Sequence, residues 1–428
     1  MNVLLSAYAC LPDSGSEPAY GWNWAMHLAE RGINVTVLTR GEGRDQIEAY
    51  VRDRPKANVT FAFVTVPTGL FKPGTGMHYA LWQWLAVRVA RALHRNRRFH
   101  LVHHVTYTSV HVPTQLWRLR VPTVFGPVGG GQTAPSSMLS YFGSSRASEV
   151  RRTLLTKALR FSPLHRRWLG KMSAIYAANS DTLALVNKLG RSDASLEFDV
   201  GVSKEYLAQE PRAFTTKSSP VRLLWVARML PRKALPLALD ALAQVRHAST
   251  LTVVGNGLSQ EQVQRMIAER GLSGRVHWSG RRLTFDEVRT AYMEHDALLF
   301  TSMRETCGVQ LLEAMALGLP VITLDLHGAR DMVPVDAGIK VPVSSPDEVV
   351  CNLARAVDRF ALMSAAQKNA MSRAGWEFAR VNTWTSHAAR AEVLYEELVG
   401  PNCDDPPRTY PGITISADGQ SSTEKAFT

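Results

Sequence analysis

Short apolar runs rich in Val, Ile and Leu alternate along this chain with stretches whose apolar positions recur every three or four residues. The first kind predicts strands buried on both faces, the second amphipathic helices laid over them. In the first half the strands are NVLLSAYA, INVTVLT, VTFAFVTV, LVHHVTY, TVFGPVGG, AIYAANS and LEFDVGV. Helices are expected over Tyr20–Arg31, His78–Arg95, Ser148–Lys171 (broken at Pro163) and Thr182–Leu189. After the polar stretch AQEPRAFTTKSS the pattern restarts with strands VRLLWVA, STLTVVG, RVHWSG, ALLFTS and PVITLD. The intervening helices are Leu235–Val245, Ser259–Glu269, Phe285–Glu294 and one inside RETCGVQLLEAMALG, followed by helices over Pro346–Leu398. Such alternation predicts an α/β chain of two Rossmann-like, doubly wound domains facing a central cleft. The expected boundaries are 1–207 for the first domain, 208–219 for a linker and 220–398 for the second domain with its C-terminal helices. Residues 399–428, rich in Pro, Asp, Ser and Thr, read as a disordered tail.

The length of 428 residues calls for two cores, and a hydrophobic fraction of 45% fills both. No apolar run reaches the roughly 20 residues of a spanning helix. The opening MNVLLSAYAC lacks the basic n-region of a signal peptide, so the expectation is a cytoplasmic protein. Cys10, Cys307, Cys351 and Cys403 have neither metal-ligand nor redox spacing. Charge changes the picture more. Residues 1–205 hold 25 Lys and Arg against 13 Asp and Glu, whereas the remainder balances at 24 against 24. The whole excess of +12 therefore lies in the first half and points to an anionic partner there.

Open parallel sheets bind ligands beyond the carboxyl ends of their strands. ALLFTS ends in Met303-Arg304-Glu305-Thr306-Cys307-Gly308, and the helix that follows presents free N–H groups suited to phosphate. Gly308 lets a ligand approach the backbone. Glu305 stands at the mouth of that helix, and Glu313 lies at most about 12 Å further along it. That spacing suits one carboxylate for each of two hydroxylated rings, with phosphates held between them. A dipole partner and a solvated glutamate would serve the same positions. VRLLWVA in turn ends near Arg228 and Lys233, which could hold a leaving diphosphate as its charge grows.

The order Arg228…Lys233, then Gly255-Asn256-Gly257, then Glu305-x7-Glu313 resembles the nucleotide-sugar half of the retaining glycosyltransferases of family 4, which have the GT-B fold. AYACLPDSGSEPAYGWNWAMHLAERG, HHVTYTSVHVP and FGPVGGG resemble segments of a bacterial polysaccharide-biosynthesis subgroup of that family. The resemblance implies transfer from a nucleoside-diphosphate sugar to a lipid-linked or glycan acceptor. It gives Arg228 and Lys233 to the donor diphosphate, Glu305 to the donor sugar and Glu313 to the ribose. Backbone N–H groups of Cys307, Gly308 and Val309 would meet sugar and phosphate, Arg281 would lie along the base, and Gly15 would approach from the opposite domain. Many members carry an N-domain histidine at the position of Val105, leaving His103 and His104 as the candidates here. Ala234 and Ala329 stand where glycine is frequent. No two Asp residues are separated by one residue, so the DxD metal motif is missing and no metal or other cofactor is expected. The family's route, acceptor attack from the face that the diphosphate leaves, needs no enzymic nucleophile.

Two segments carry much of the positive charge. WQWLAVRVARALHRNRRF and RASEVRRTLLTKALRFSPLHRRWLGK, the latter with eight basic residues to one acidic, interleave cations with apolar and aromatic residues. They read as basic amphipathic helices on the inner face of a plasma membrane with anionic lipids. The other reading is a stripe packed inward with arginines facing water. No nucleic-acid-binding module accompanies the charge. A dehydrogenase is disfavoured because Gln260 stands where the dinucleotide fingerprint needs its third glycine, and no phosphate-loop motif is present. The remaining alternative is a non-catalytic sugar-nucleotide-binding scaffold or sensor of the same fold.

Overall fold

In a computed structural model of the chain, which describes residues 1–67, 71–215 and 219–400, the apolar runs form two parallel sheets. The first contains β1 (Asn2–Ala7), β2 (Asn34–Arg40), β3 (Val59–Val64), β4 (Leu101–Thr106), β5 (Thr123–Val128), β6 (Ala174–Ala177) and β7 (Ser195–Leu196). Their order is β3-β2-β1-β4-β5-β6-β7. The second contains β8 (Val221–Val226), β9 (Ser249–Val254), β10 (Val276–Trp278), β11 (Ala297–Phe300), β12 (Val321–Leu324) and β13 (Gly338–Val341). Its order is β10-β9-β8-β11-β12-β13. In each sheet the order turns back beside the first strand, between β1 and β4 and between β8 and β11. Loops leaving those strands diverge, and the carboxyl edge opens into a crevice there.

Helices cover both faces, which is why the central strands are apolar without alternation: Val3, Leu4 and Leu5 of β1 and Ala297–Phe300 of β11 are all buried. Trp82, on the helix Gly76–Arg97, is fully buried against Tyr8. Truncating such a side chain costs about 3–5 kcal/mol.

Three boundaries differ from the sequence reading. Residues 208–215 are tied to the second lobe rather than free: Ala208 donates to the Ala316 carbonyl at 3.0 Å, and Trp376 Nε1 donates to the Ala208 carbonyl at 2.8 Å. The chain also crosses back near Thr383, so the helix Trp384–Val399 packs on the first lobe, with Trp384, Ala388 and Tyr395 beside Trp24 and Ala25. Of LEFDVGV only Leu196 belongs to a strand of the sheet, β7; Asp199 and Val200 line the crevice, and Val202 pairs with the chain beside Thr383. Residues 216–218, and the expected tail from residue 401, lie outside the described residues.

Candidate functional site

The crevice between the lobes has a volume of about 750 Å³. Both switch points supply its walls: Ser14–Pro18 and Tyr20 after β1 and Tyr107 after β4 face Arg228, Arg232 and Lys233 after β8 and Glu305–Gln310 after β11.

The second-lobe wall is held by bonds between its two loops. Met303 N–H donates to the Arg232 carbonyl at 2.8 Å. Thr301 Oγ1, on the strand edge, reaches the Lys233 and Ala234 carbonyls at 3.0 and 3.1 Å. Ala234 holds φ at +51°, the left-handed conformation for which glycine is the ordinary choice. This fixed turn aims Lys233 inward. Its ammonium is buried 5.3 Å from the Phe300 ring and pairs with the Glu305 carboxylate. Arg232 donates to the same carboxylate at 2.8 Å, and Ser302 Oγ at 3.3 Å. Burial pushes the Glu305 carboxyl up, but Lys233 and Arg232 outweigh it and hold it at about 2. Burial lowers the Lys233 ammonium, and the charge of Glu305 opposes the shift. Arg228 is exposed at the cleft and pairs with no side chain among the described residues.

Beyond Glu305 the backbone turns at Gly308, φ +110°, and the helix Val309–Ala316 begins. A Cβ at Gly308 would sit 3.0 Å from the Phe300 ring. Cys307, Gly308 and Val309 line the crevice at that helix N-terminus. The opposite lobe steadies the loop: Gln132 Nε2 donates to Thr306 Oγ1, and Asn179 Nδ2 to the Thr306 carbonyl, each at 2.9 Å.

The first-lobe wall adds residues that the sequence reading passed over. Glu17 accepts from Tyr107 N–H at 2.9 Å, and burial raises its carboxyl to about 7. Asp199 also lines the crevice, its carboxyl pushed up to about 6 by burial. Tyr20 and Arg40 stand beside them. Glu17 lay within the GSEP segment already singled out; Asp199 was hidden in a presumed strand. Gly15 lines the same wall, and a Cβ there would meet nothing within 4 Å.

Four expected site residues stand elsewhere. His103 and His104 are fully buried on opposite faces of β4 because strand side chains alternate. His103 is bonded to Tyr395 Oη and the Gly126 carbonyl, His104 to Tyr79 Oη and Ser6 Oγ. Burial lowers them to about 4 and about 3, so both are neutral packed rings outside the crevice. Arg281 faces solvent and pairs with Glu287, while its neighbour Arg282 lines the crevice. Glu313 lies outside the lining: Tyr292 Oη donates to its Oε2 at 2.9 Å, and burial raises the carboxyl to about 7. Among the described residues, no three His, Cys, Asp or Glu side chains gather as metal ligands, and no helix is long and apolar enough to cross a membrane.

Both lobes match known proteins. Residues 19–184 match the family described as Glycosyltransferase Family 4, and residues 220–359 match Glycosyl transferases group 1. A 2-deoxystreptamine glucosyltransferase of Streptomyces kanamyceticus is 26% identical over 87% of this chain and 96% of its own length. A glycosyltransferase of Methanocaldococcus jannaschii is 23% identical over 42% of this chain, which spans about half (48%) of that protein. A lipopolysaccharide 1,6-galactosyltransferase of Salmonella typhimurium is 32% identical over 27% of this chain and 34% of its own. Among solved structures, Anabaena HepE in complex with UDP and glucose superposes with a TM-score of 0.60 at 16% identity, covering 93% of this chain and all of that one.

Proposed function

The chain belongs to glycosyltransferase family 4, and from that premise we propose that its crevice transfers a sugar from a nucleoside diphosphate, with retention, to a lipid-linked or glycan acceptor of a bacterial surface polysaccharide. The observation that carries the reading is the convergence of Arg228, Lys233, Glu305 and the N-terminus of Val309–Ala316 on one cleft. Arg228 and Lys233 take the diphosphate, and free N–H groups at Cys307, Gly308 and Val309 meet its oxygens and those of the sugar. Glu305 accepts from donor-sugar hydroxyls through Oε1, since Arg232, Lys233 and Ser302 all address Oε2. As the glycosidic bond breaks, charge grows on the leaving phosphate beside fixed cations and a helix dipole, where stabilisation is greatest. The acceptor hydroxyl attacks from that same face, and a phosphate oxygen takes its proton. No metal or other cofactor enters this route.

The acceptor comes from the first lobe. Leu154, Leu155 and Leu164 on the helices Arg146–Leu159 and Pro163–Leu169, and Phe161 in the turn between them, are 50–74% exposed, among exposed Arg151, Lys157, Arg160, Arg166 and Arg167. Leu159 and Leu169 on the same two helices pack inward instead. An apolar, cationic surface of this kind suits an anionic leaflet and supports peripheral association with the inner membrane face.

A thermal-shift screen of UDP-, GDP-, ADP- and dTDP-sugars tests the donor, because a ligand bound only by the native state raises Tm. The best binder is then assayed for transfer. Glu305→Ala should abolish turnover without unfolding the chain, and Lys233→Ala should weaken binding of the free nucleoside diphosphate. Normal turnover in the first variant, or unchanged calorimetric affinity in the second, refutes the assignment. Donor binding without turnover in the wild type would favour a sensor.

A further inference from the structure

The donor loop is braced from the opposite lobe by a buried charge. Glu149, in the first turn of Arg146–Leu159, is 6% exposed and lies 2.5 Å from Arg304 Nε across the crevice edge. Arg304 immediately precedes Glu305. Its carbonyl accepts from Arg232 Nη1 at 3.1 Å, and the same nitrogen donates to Glu305 Oε2 at 2.8 Å. One guanidinium thus grips two consecutive residues of the loop, and the first of them is anchored by a carboxylate of the other lobe.

From this chain of contacts we propose that Glu149 is a positioning residue for the transfer reaction: by neutralising Arg304 it holds the 302–308 loop, and with it the Glu305 carboxylate, in register with the donor sugar. The inference rests on the donor-site reading above. Electrostatics explain why a neutral partner would not serve. Arg152, from the same helix as Glu149, stands near Arg304 and Arg232, and its guanidinium is lowered by burial and then by the charge of Arg304. Without Glu149, Arg304 faces two cations with no counter-charge, and a buried charge left unpaired is strongly disfavoured. Arg304 would swing outward and draw its peptide, hence the Arg232 grip on Glu305, with it. Arg228 follows β8 and stands outside the 302–308 loop, so nucleotide affinity should fall less than turnover.

The test is Glu149→Gln, which keeps shape and removes charge, with Glu149→Asp and Arg304→Gln alongside. With the best donor from the screen, Glu149→Gln should lower kcat about tenfold or more, the scale of a slightly misplaced catalytic group, while Kd for UDP, GDP, ADP or dTDP rises by a smaller factor. Glu149→Asp should recover most of the rate. The double variant Glu149→Gln/Arg304→Gln should be no slower than the worse single. Amide exchange at residues 302–308 should rise in Glu149→Gln relative to the helix Leu235–Gln244, a readout that needs no turnover. An unchanged kcat per folded molecule, a loss confined to nucleotide affinity, multiplying single effects or unaltered loop exchange each overturns the proposal. A wild type that binds and transfers no sugar nucleotide refutes the donor-site reading instead, and loop exchange still decides the role of Glu149.

Discussion

The two glutamates around the Cys-Gly of the donor loop differ most in how their surroundings treat charge. Glu305, held at about 2, is ionised at any ordinary pH. Its folded value lies below the usual 4.5, so the stabilisation from its cationic partners is complete above 4.5 and is lost as pH falls toward 2. Glu313, raised to about 7, behaves oppositely: the folded state favours the protonated form, and stability declines as pH rises from 4.5 through 7. Thermal unfolding of the ligand-free protein should therefore show Glu313→Gln gaining on the wild type across that interval. Parallel melting curves from pH 4.5 to 7.5 would exclude the shift. His103 and His104 mark the limit of sequence at this scale. A histidine on a strand announces chemistry, but whether helices cover both faces of that strand is a tertiary fact. His104→Ala should cost about 2–3 kcal/mol, through lost hydrogen bonds and a cavity, and leave kcat per folded molecule unchanged.

At the scale of elements, what the periodicity made legible was what local physics decides. The break at Pro163 separates Arg146–Leu159 from Pro163–Leu169, as a proline should. The loop ends after β8 and β11 carried the cationic and acidic site residues because strand ends and helix starts are written in local residue choices. Less legible were elements defined by partners. The short strand β13, whose residues are only partly buried over most of its length, pairs with β12 but has no strong apolar run of its own. Asp199 sits in an apolar-looking segment of which only Leu196 belongs to a strand of the sheet. Outward-facing Leu154, Leu155 and Phe161 were visible as residues, but their direction was not. If that face meets lipid, flotation with anionic liposomes should weaken with salt and with replacement of Arg151 and Arg166 by Gln. Replacement of Leu154 and Phe161 by Ser should weaken it at every salt concentration. Flotation indifferent to both changes would leave the face without that partner.

Across the whole molecule, the excess of +12 belongs to the lobe that presents the exposed helices, while the balanced half supplies the cations that line the donor wall. On the proposed reading, net charge and local charge would serve different partners. The return of Trp384–Val399 to the first lobe was the least legible feature: its apolar face fits either lobe, and the choice is made by Trp24 and Tyr20 across the gap. Deleting this helix should expose those aromatics and lower Tm more than any single substitution above.

That return has a mechanical corollary. Val202 donates to the Asn382 carbonyl at 3.0 Å and accepts from Trp384 N–H at 3.3 Å, so the outgoing and incoming strands of chain run side by side where they pass between lobes. A door hung on two pins swings about one line and resists torsion. Breathing of this molecule should follow a single arc, with labels far from Val202 separating most and those beside it hardly at all, a distribution that pulsed spin-label distances can read directly.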